Sequence, residues 1–180
     1  RPSNSTCLAW DRPNAGALVS FQRVYNQVFS TKPANEVVVL TMPPNDSSQW
    51  YFTTREGLIG RFDNTPGVST WSEVLDLTGP VTTPPDGGLI QLIFHPDYPA
   101  DPRVFLNYSV APTGGELADI IVSSMETTDG GATFDPSTEV VFLRQSRGTY
   151  HQGGFMEFDA DGMLTFSIGD GTDQGDPQGH

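Results

Sequence analysis

The stretch "EVVVLTMPPNDSSQWYFTTREGLIGRFDNTPGVSTWSEVLDL", residues 36–77, is a run of short apolar or alternating segments cut by turn residues. "EVVVLTM" (36–42) stops at Pro43-Pro44-Asn45-Asp46, and "QWYFTT" (49–54) follows. Glu56-Gly57 turns into "LIGRFD" (58–63), and a loop at Asn64-Thr65-Pro66-Gly67 leads to "SEVLDL" (72–77). Segments this short, joined this tightly, read as three or four strands of an antiparallel meander.

The same grammar continues downstream. A second unit opens at "PPDGG" (84–88) and runs through "LIQLIF" (89–94), "RVFLNYSV" (103–110), "DIIVSSME" (119–126) and "EVVFLRQ" (139–145). "TTDGGATFDP" (127–136) reads as a turn within it. A third begins with "GGFMEFD" (153–159), turns at "ADG" (160–162), continues with "MLTFSIGDG" (163–171) and gives way to the polar "TDQGDPQGH". "LIFHPDY…RVFLNYS" and "MEFDADGMLTFSIG" share a strand, acidic turn, strand order, with Phe94 and Phe158 equivalent and 64 residues apart. That period suits large propeller blades. The expected fold is all-β, a β-propeller of four-stranded antiparallel blades, of which this chain covers about two and a half. Propellers close with about 4 to 8 blades. Residues 19–180 therefore read as a partial propeller, cut short on its C-terminal side and completed by further sequence or by another chain; residues 1–18 read as an N-terminal extension.

One segment resists this reading. In "ALVSFQRVYNQVF" (17–29), Ala17, Leu18, Phe21, Val24, Tyr25, Val28 and Phe29 keep helical spacing, while the β-branched and aromatic content favours a strand.

Composition narrows the class of function. Nineteen glycines and 15 prolines are too many breaks for a helical bundle and usual for strands joined by turns. A formal charge of −13, with only nine Lys and Arg, argues against a nucleic-acid partner. It suits cation binding, a basic partner or life outside the cytoplasm. No apolar run approaches the roughly 20 residues of a membrane helix, and no signal peptide is visible. Cys7 is the single cysteine, so the chain holds no internal disulfide. Sequons at Asn4, Asn45 and Asn107 carry little weight, since such tripeptides arise by chance.

"GLIQLIFHPDY" (88–98) and "YHQGGFMEFDADGMLTFSIGDG" (150–171) resemble the soluble pyrroloquinoline-quinone (PQQ) sugar dehydrogenases, a family that includes glucose, aldose and sorbosone dehydrogenases and the related hedgehog-interacting proteins. The family patterns are G-L-L-G-x-A-F-H-P-D-[FY] and H-x-G-G-x-[LI]-x-F-G-P-D-G-x-L-Y-[IV]-x-x-G-D-G. "WYFTTREGLIGRFDN" and "TTDGGATFDPSTEVVFL" resemble its first-blade hairpin and second-blade turn, so the likeness spans about residues 19–179 in order. It implies a six-bladed propeller when complete, a strand over residues 19–25, and PQQ with Ca²⁺ as cofactors. It implies oxidation of a sugar at the anomeric hydroxyl, with electrons passed to a quinone or cytochrome in the periplasm or outside the cell.

Carried over residue by residue, the resemblance makes His151 the general base and Asp170 the carboxylate that holds it. Asp86 falls where the family has a Gln or Glu contacting cofactor or substrate, and Gln152 and Gly153 fall beside the cofactor. The chemistry is coherent on its own terms. A base with an ordinary pKa near 6.5 suits removal of a hydroxyl proton at neutral pH, and an ionised carboxylate on the other ring nitrogen fixes the tautomer. Gly153 and Gly154 would leave clearance for a flat cofactor or a sugar. Asp173 and Asp176 offer the oxygen ligands that calcium prefers, without EF-hand spacing. His95, in "FHPD", reads as a structural turn residue.

The departures from the pattern are specific. Phe155 stands where the family often has a polar or basic residue, Gln91 and Ile93 replace small ones, and Glu157 and Asp159 make the turn more acidic. The family's other cofactor-binding Arg, Asn and Lys residues fall beyond residue 180, so this chain alone is expected to be inactive. Two other readings stand beside the enzyme. One is a non-catalytic propeller acting as a binding or structural subunit of a larger assembly. The other is a calcium-stabilised carbohydrate-binding module using Trp50, Trp71 and Tyr150.

Overall fold

Residues 36–77 do form one antiparallel sheet. The computed structural model describes residues 20, 22–29, 36–114, 118–147 and 150–171. β1 (Val37–Thr41), β2 (Gln49–Thr54), β3 (Leu58–Asp63) and β4 (Ser72–Asp76) pair in sequence order. The β2–β3 turn depends on Gly57, whose φ of 113° is one that L side chains rarely adopt. A side chain there would also meet the Leu77 backbone at 2.8 Å.

The second blade repeats the plan with β5 (Leu89–Phe94), β6 (Arg103–Val110), β7 (Ala118–Glu126) and β8 (Asp135–Arg147), again in sequence order. β8 starts four residues before the expected 139, because Asp135 already pairs with Glu126. β9 (Met156–Phe158) and β10 (Leu164–Phe166) form a hairpin that begins a third blade. Its turn is closed by Asp159, whose Oδ1 accepts the N–H groups of Asp161 and Met163, both at 2.9 Å. β9 starts later than residue 153 because Gly153 and Gly154 have φ of 87° and 129°. The pairing still reaches past the strand ends, with Ser167 N–H donating to Phe155 O and Gly154 N–H to Ser167 O. The described chain is thus a partial propeller of two blades and one hairpin. The first strands β1, β5 and β9 are neighbours in turn.

Period-two alternation along the strands builds the two blade interfaces. On β6, Val104, Leu106 and Tyr108 face the first blade and join Tyr51, Ile59 and Leu75 in the main core. Phe105 faces the other way and, beside Val122 of β7, meets Met156 of the third unit. Leu92, Leu106 and Ile59 are fully buried, and each is worth roughly 2–3 kcal/mol of transfer free energy. Asn107 is also buried, 2% exposed, so its sequon is closed to modification in the folded chain.

Of the strand expected at residues 19–25, residues 19 and 21 lie outside the described residues, and the others form no strand. Residues 22–24 are unpaired, and Tyr25–Phe29 is a turn with Val28 N–H donating to Tyr25 O. Tyr25 has φ of 55°, which breaks both helix and strand. Tyr25, Val28 and Phe29 serve packing instead, while Val24 is 64% exposed. Val28 is fully buried against Phe52 and Phe62, and the Phe29 ring meets theirs edge-on at 5.1 and 5.8 Å.

Candidate functional site

His151 lies just ahead of β9, at the edge of the third blade's first strand, and is held at three points. Its Nδ1 is 2.8 Å from Asp170 Oδ1, which lies beyond β10. A carboxylate can only accept, so the contact selects the Nδ1–H tautomer, which in the neutral ring leaves Nε2 with its lone pair. The His151 backbone N–H donates to Asp86 Oδ2 at 2.8 Å. The His151 carbonyl accepts from Gly171 N–H at 3.3 Å. The side chain remains 46% exposed and that of Asp170 24%, so the dyad is open to a ligand.

These anchors hold His151 at φ of 54°, a left-handed conformation that costs a non-glycine residue on the order of 1 kcal/mol. One charge-assisted hydrogen bond is worth about as much, so the Asp86 contact alone offsets the strain. Gly169 completes the seat. A Cβ there would lie 2.5 Å from the His151 carbonyl carbon and closer still to its oxygen.

The other glycines have a different purpose from the one expected. A Cβ on Gly153 would meet Ser167 O at 2.6 Å and the Ile168 Cα at 2.7 Å, and one on Gly154 would strike the Ile90 side chain. Their missing side chains make room for the chain itself, not for a cofactor or sugar. The clearance expectation is corrected accordingly.

The remaining expected residues fall in separate places. Gln152 is buried and 2% exposed. Phe155 is 58% exposed and, by alternation with the buried Met156, faces away from the second blade. His95 is a turn residue as expected. Its Nδ1 accepts from Asp97 N–H, and its Nε2 lies 3.5 Å from Asp101. The three aromatics of the carbohydrate-module reading do not form one platform. Trp50 donates to Asn64 Oδ1 and Trp71 packs on Phe52, both in the first blade, while Tyr150 lies beside His151 with ring centres 6.5 Å apart. Asp173 and Asp176 lie outside the described residues.

Two contributors take their role only from the fold. Gly169, the first glycine of the G-D-G motif, is one. The other is Arg55, in the β2–β3 turn, which grips the loop that carries Asp86 from 29 to 32 residues away. Away from the site, Asp119 is a fully buried carboxylate. Burial alone would raise its pKa, but bonds from Ser146, Arg144 and Thr113 together outweigh that and hold it at about 2.

Fold and site together define a propeller blade that presents an exposed histidine–aspartate pair at the edge of its first strand. The profile of the family described as Glucose / Sorbosone dehydrogenase matches residues 36–180, and the chain belongs to that family. Among solved structures it is similar to a glucose dehydrogenase, with a TM-score of 0.63 and 23% identity over 77% of this chain and 42% of that one. It is also similar to the PQQ-bound form of an aldose sugar dehydrogenase from Streptomyces coelicolor (TM-score 0.59, 22% identity, 78% of this chain and 42% of that one). A third is the apo-form of the soluble aldose sugar dehydrogenase from Escherichia coli (TM-score 0.60, 22% identity, 76% and 40%). At these identities the likeness bears on the fold. The chain spans about two fifths of the length of these relatives.

Proposed function

We propose that the protein carrying this chain oxidises an aldose or related sugar at the anomeric hydroxyl with PQQ, using His151 as general base oriented by Asp170. The observation that carries this is the 2.8 Å contact between His151 Nδ1 and Asp170. The hydroxyl proton passes to Nε2 as the C1 hydride departs, and a C=O bond forms at the anomeric carbon to give the lactone. Asp170 then faces the imidazolium so formed. General-base assistance of this kind contributes about 10²- to 10⁴-fold. PQQ, when bound, supplies the electron-poor quinone carbon that takes the hydride.

The described residues fit the base side of this chemistry and not the anchoring of PQQ. The groups on His151 are two carboxylates, whereas the carboxylates of PQQ call for cations. Arg55 is committed to loop carbonyls and to Glu36. The backbone of Gly153 keeps its place beside the cofactor in this proposal, whereas Gln152, at 2% exposure, is closed to a ligand, and the cofactor's anchors belong to other parts of the protein. Calcium at Asp173 and Asp176, transfer of electrons to a quinone or cytochrome, and a periplasmic or extracellular setting belong to the same reading, which the charge of −13 suits.

The test is reconstitution of the intact protein with PQQ and Ca²⁺, followed by dye reduction with aldoses. His151→Ala should lower turnover at least about 10²-fold while PQQ affinity stays within a few-fold; unchanged turnover removes His151 from the mechanism. A non-catalytic subunit is the second reading. Phe142, Phe155 and Met163, 49%, 58% and 66% exposed, favour it by offering apolar surface to another chain or to further blades. Sugar or protein binding without turnover would select it.

A further inference from the structure

We infer that Arg55 and Asp86 form a positioning relay that sets the His151 backbone, and that Asp86 acts through His151 and not as a ligand of the cofactor. The inference rests on His151 being the base, and it begins from the loop Pro84–Gly88. Two consecutive prolines leave this loop with carbonyls to satisfy and few N–H groups to do it. Its internal bond is Gly87 N–H to Pro84 O at 2.9 Å. Arg55 supplies the rest: Nε donates to Gly87 O at 2.9 Å, and Nη2 donates to Pro84 O at 2.6 Å and Pro85 O at 2.7 Å. Its Nη1 is turned to Glu36 at 3.2 Å, and its carbonyl accepts Leu89 N–H at 2.9 Å.

A guanidinium fork meets three carbonyls at once in a way that an ammonium point charge does not. Gly88, at φ of 125°, has no side chain because the Arg55 backbone occupies that space. The loop is therefore fixed relative to the first blade, and it extends the Asp86 side chain to the third blade. That carboxylate takes the N–H of His151, a residue in a strained left-handed conformation. Three successive blades are tied in series, and the end of the series is the orientation of the base. The negative charge of Asp86 beside His151 also makes it a poor ligand for an anionic quinone.

Asp86→Asn and Asp86→Ala separate the two roles, since asparagine keeps an acceptor oxygen and loses the charge. Amide hydrogen exchange at His151, measured by NMR on the intact protein, should speed up about tenfold or more in Asp86→Ala. Asp86→Asn should recover most of that protection, and Arg55→Lys should reproduce the Ala result in weaker form. In the reconstituted protein the same order should appear in kcat, with the sugar KM and PQQ affinity within about twofold. An unchanged His151 amide in Asp86→Ala overturns the relay. So does a loss of PQQ affinity in Asp86→Asn as large as that in Asp86→Ala, which would make Asp86 a cofactor ligand. If the wild-type protein shows no PQQ-dependent turnover, the proposed function fails while amide exchange still decides the relay.

Discussion

Gly169→Ala should disable the dyad without touching either member. Gly169 is not in the left-handed region, so the added methyl brings no backbone strain of its own, only contact. Its Cβ would lie 2.5 Å from the His151 carbonyl carbon, whereas real Cβ contacts essentially never fall below 3.0 Å. The carbonyl oxygen lies closer still, so His151 or the 169–171 segment must give by on the order of 1 Å. Added to the 2.8 Å of the Nδ1–Asp170 contact, a shift of that size carries it to roughly 3.6 Å or more, where it is no longer a hydrogen bond. A misplacement of about 1 Å costs roughly 10²-fold in rate, and a fall in kcat of about that size is expected. Overpacking against backbone adds about 1–3 kcal/mol of destabilisation. Steady-state dye reduction by the PQQ-loaded protein, with thermal unfolding alongside, reads both. Gly79→Ala is the control, because a Cβ there meets nothing within 4 Å. Wild-type kcat in Gly169→Ala, or an equal loss in Gly79→Ala, would refute the seating of His151.

Three further outcomes are expected. Asp170→Asn should shift the His151 tautomer mixture away from Nδ1–H, visible in its ring ¹⁵N resonances, and lower kcat by at least about 10²-fold with little change in KM. Asp119, with its pKa depressed to about 2, contributes stability that is present above its ordinary value near 3.8 and is lost as pH falls through about 2. Denaturant midpoints of Asp119→Asn should accordingly be lower than wild type at pH 6 and converge on it between pH 4 and 2. Leu106→Ala, at a fully buried position of the main core, should cost roughly 2–5 kcal/mol in a urea titration, while Val140→Ala on an exposed strand face should cost far less.

The blades were legible because their information is local. "QWYFTT", "LIGRFD" and "LIQLIF" are bounded by turn residues on both sides, and the strands begin and end where those residues stand. β8 was misjudged because Asp135-Pro136 reads as a turn, yet it lies within the paired strand. The apolar spacing of residues 17–29 points to an element, whereas among the described residues Tyr25, Val28 and Phe29 serve packing on Phe52 and Phe62 and form no strand. In the site, the nineteen-residue spacing of His151 and Asp170 follows from a hairpin that returns to its own start. The Asp86 bond spans 65 residues and the Arg55 grip about 30, and neither leaves a periodic trace in sequence. The glycines of "HQGG" were seen, but what fills their space is Ser167, Ile168 and Ile90, which only the paired fold brings near.

The most direct test of the central claim is a structure of the intact protein with PQQ and an aldose bound. The account predicts the anomeric hydroxyl within about 3.2 Å of His151 Nε2, with Asp170 still on Nδ1. A sugar bound with its anomeric hydroxyl away from His151, and another base in contact with it, would contradict the account.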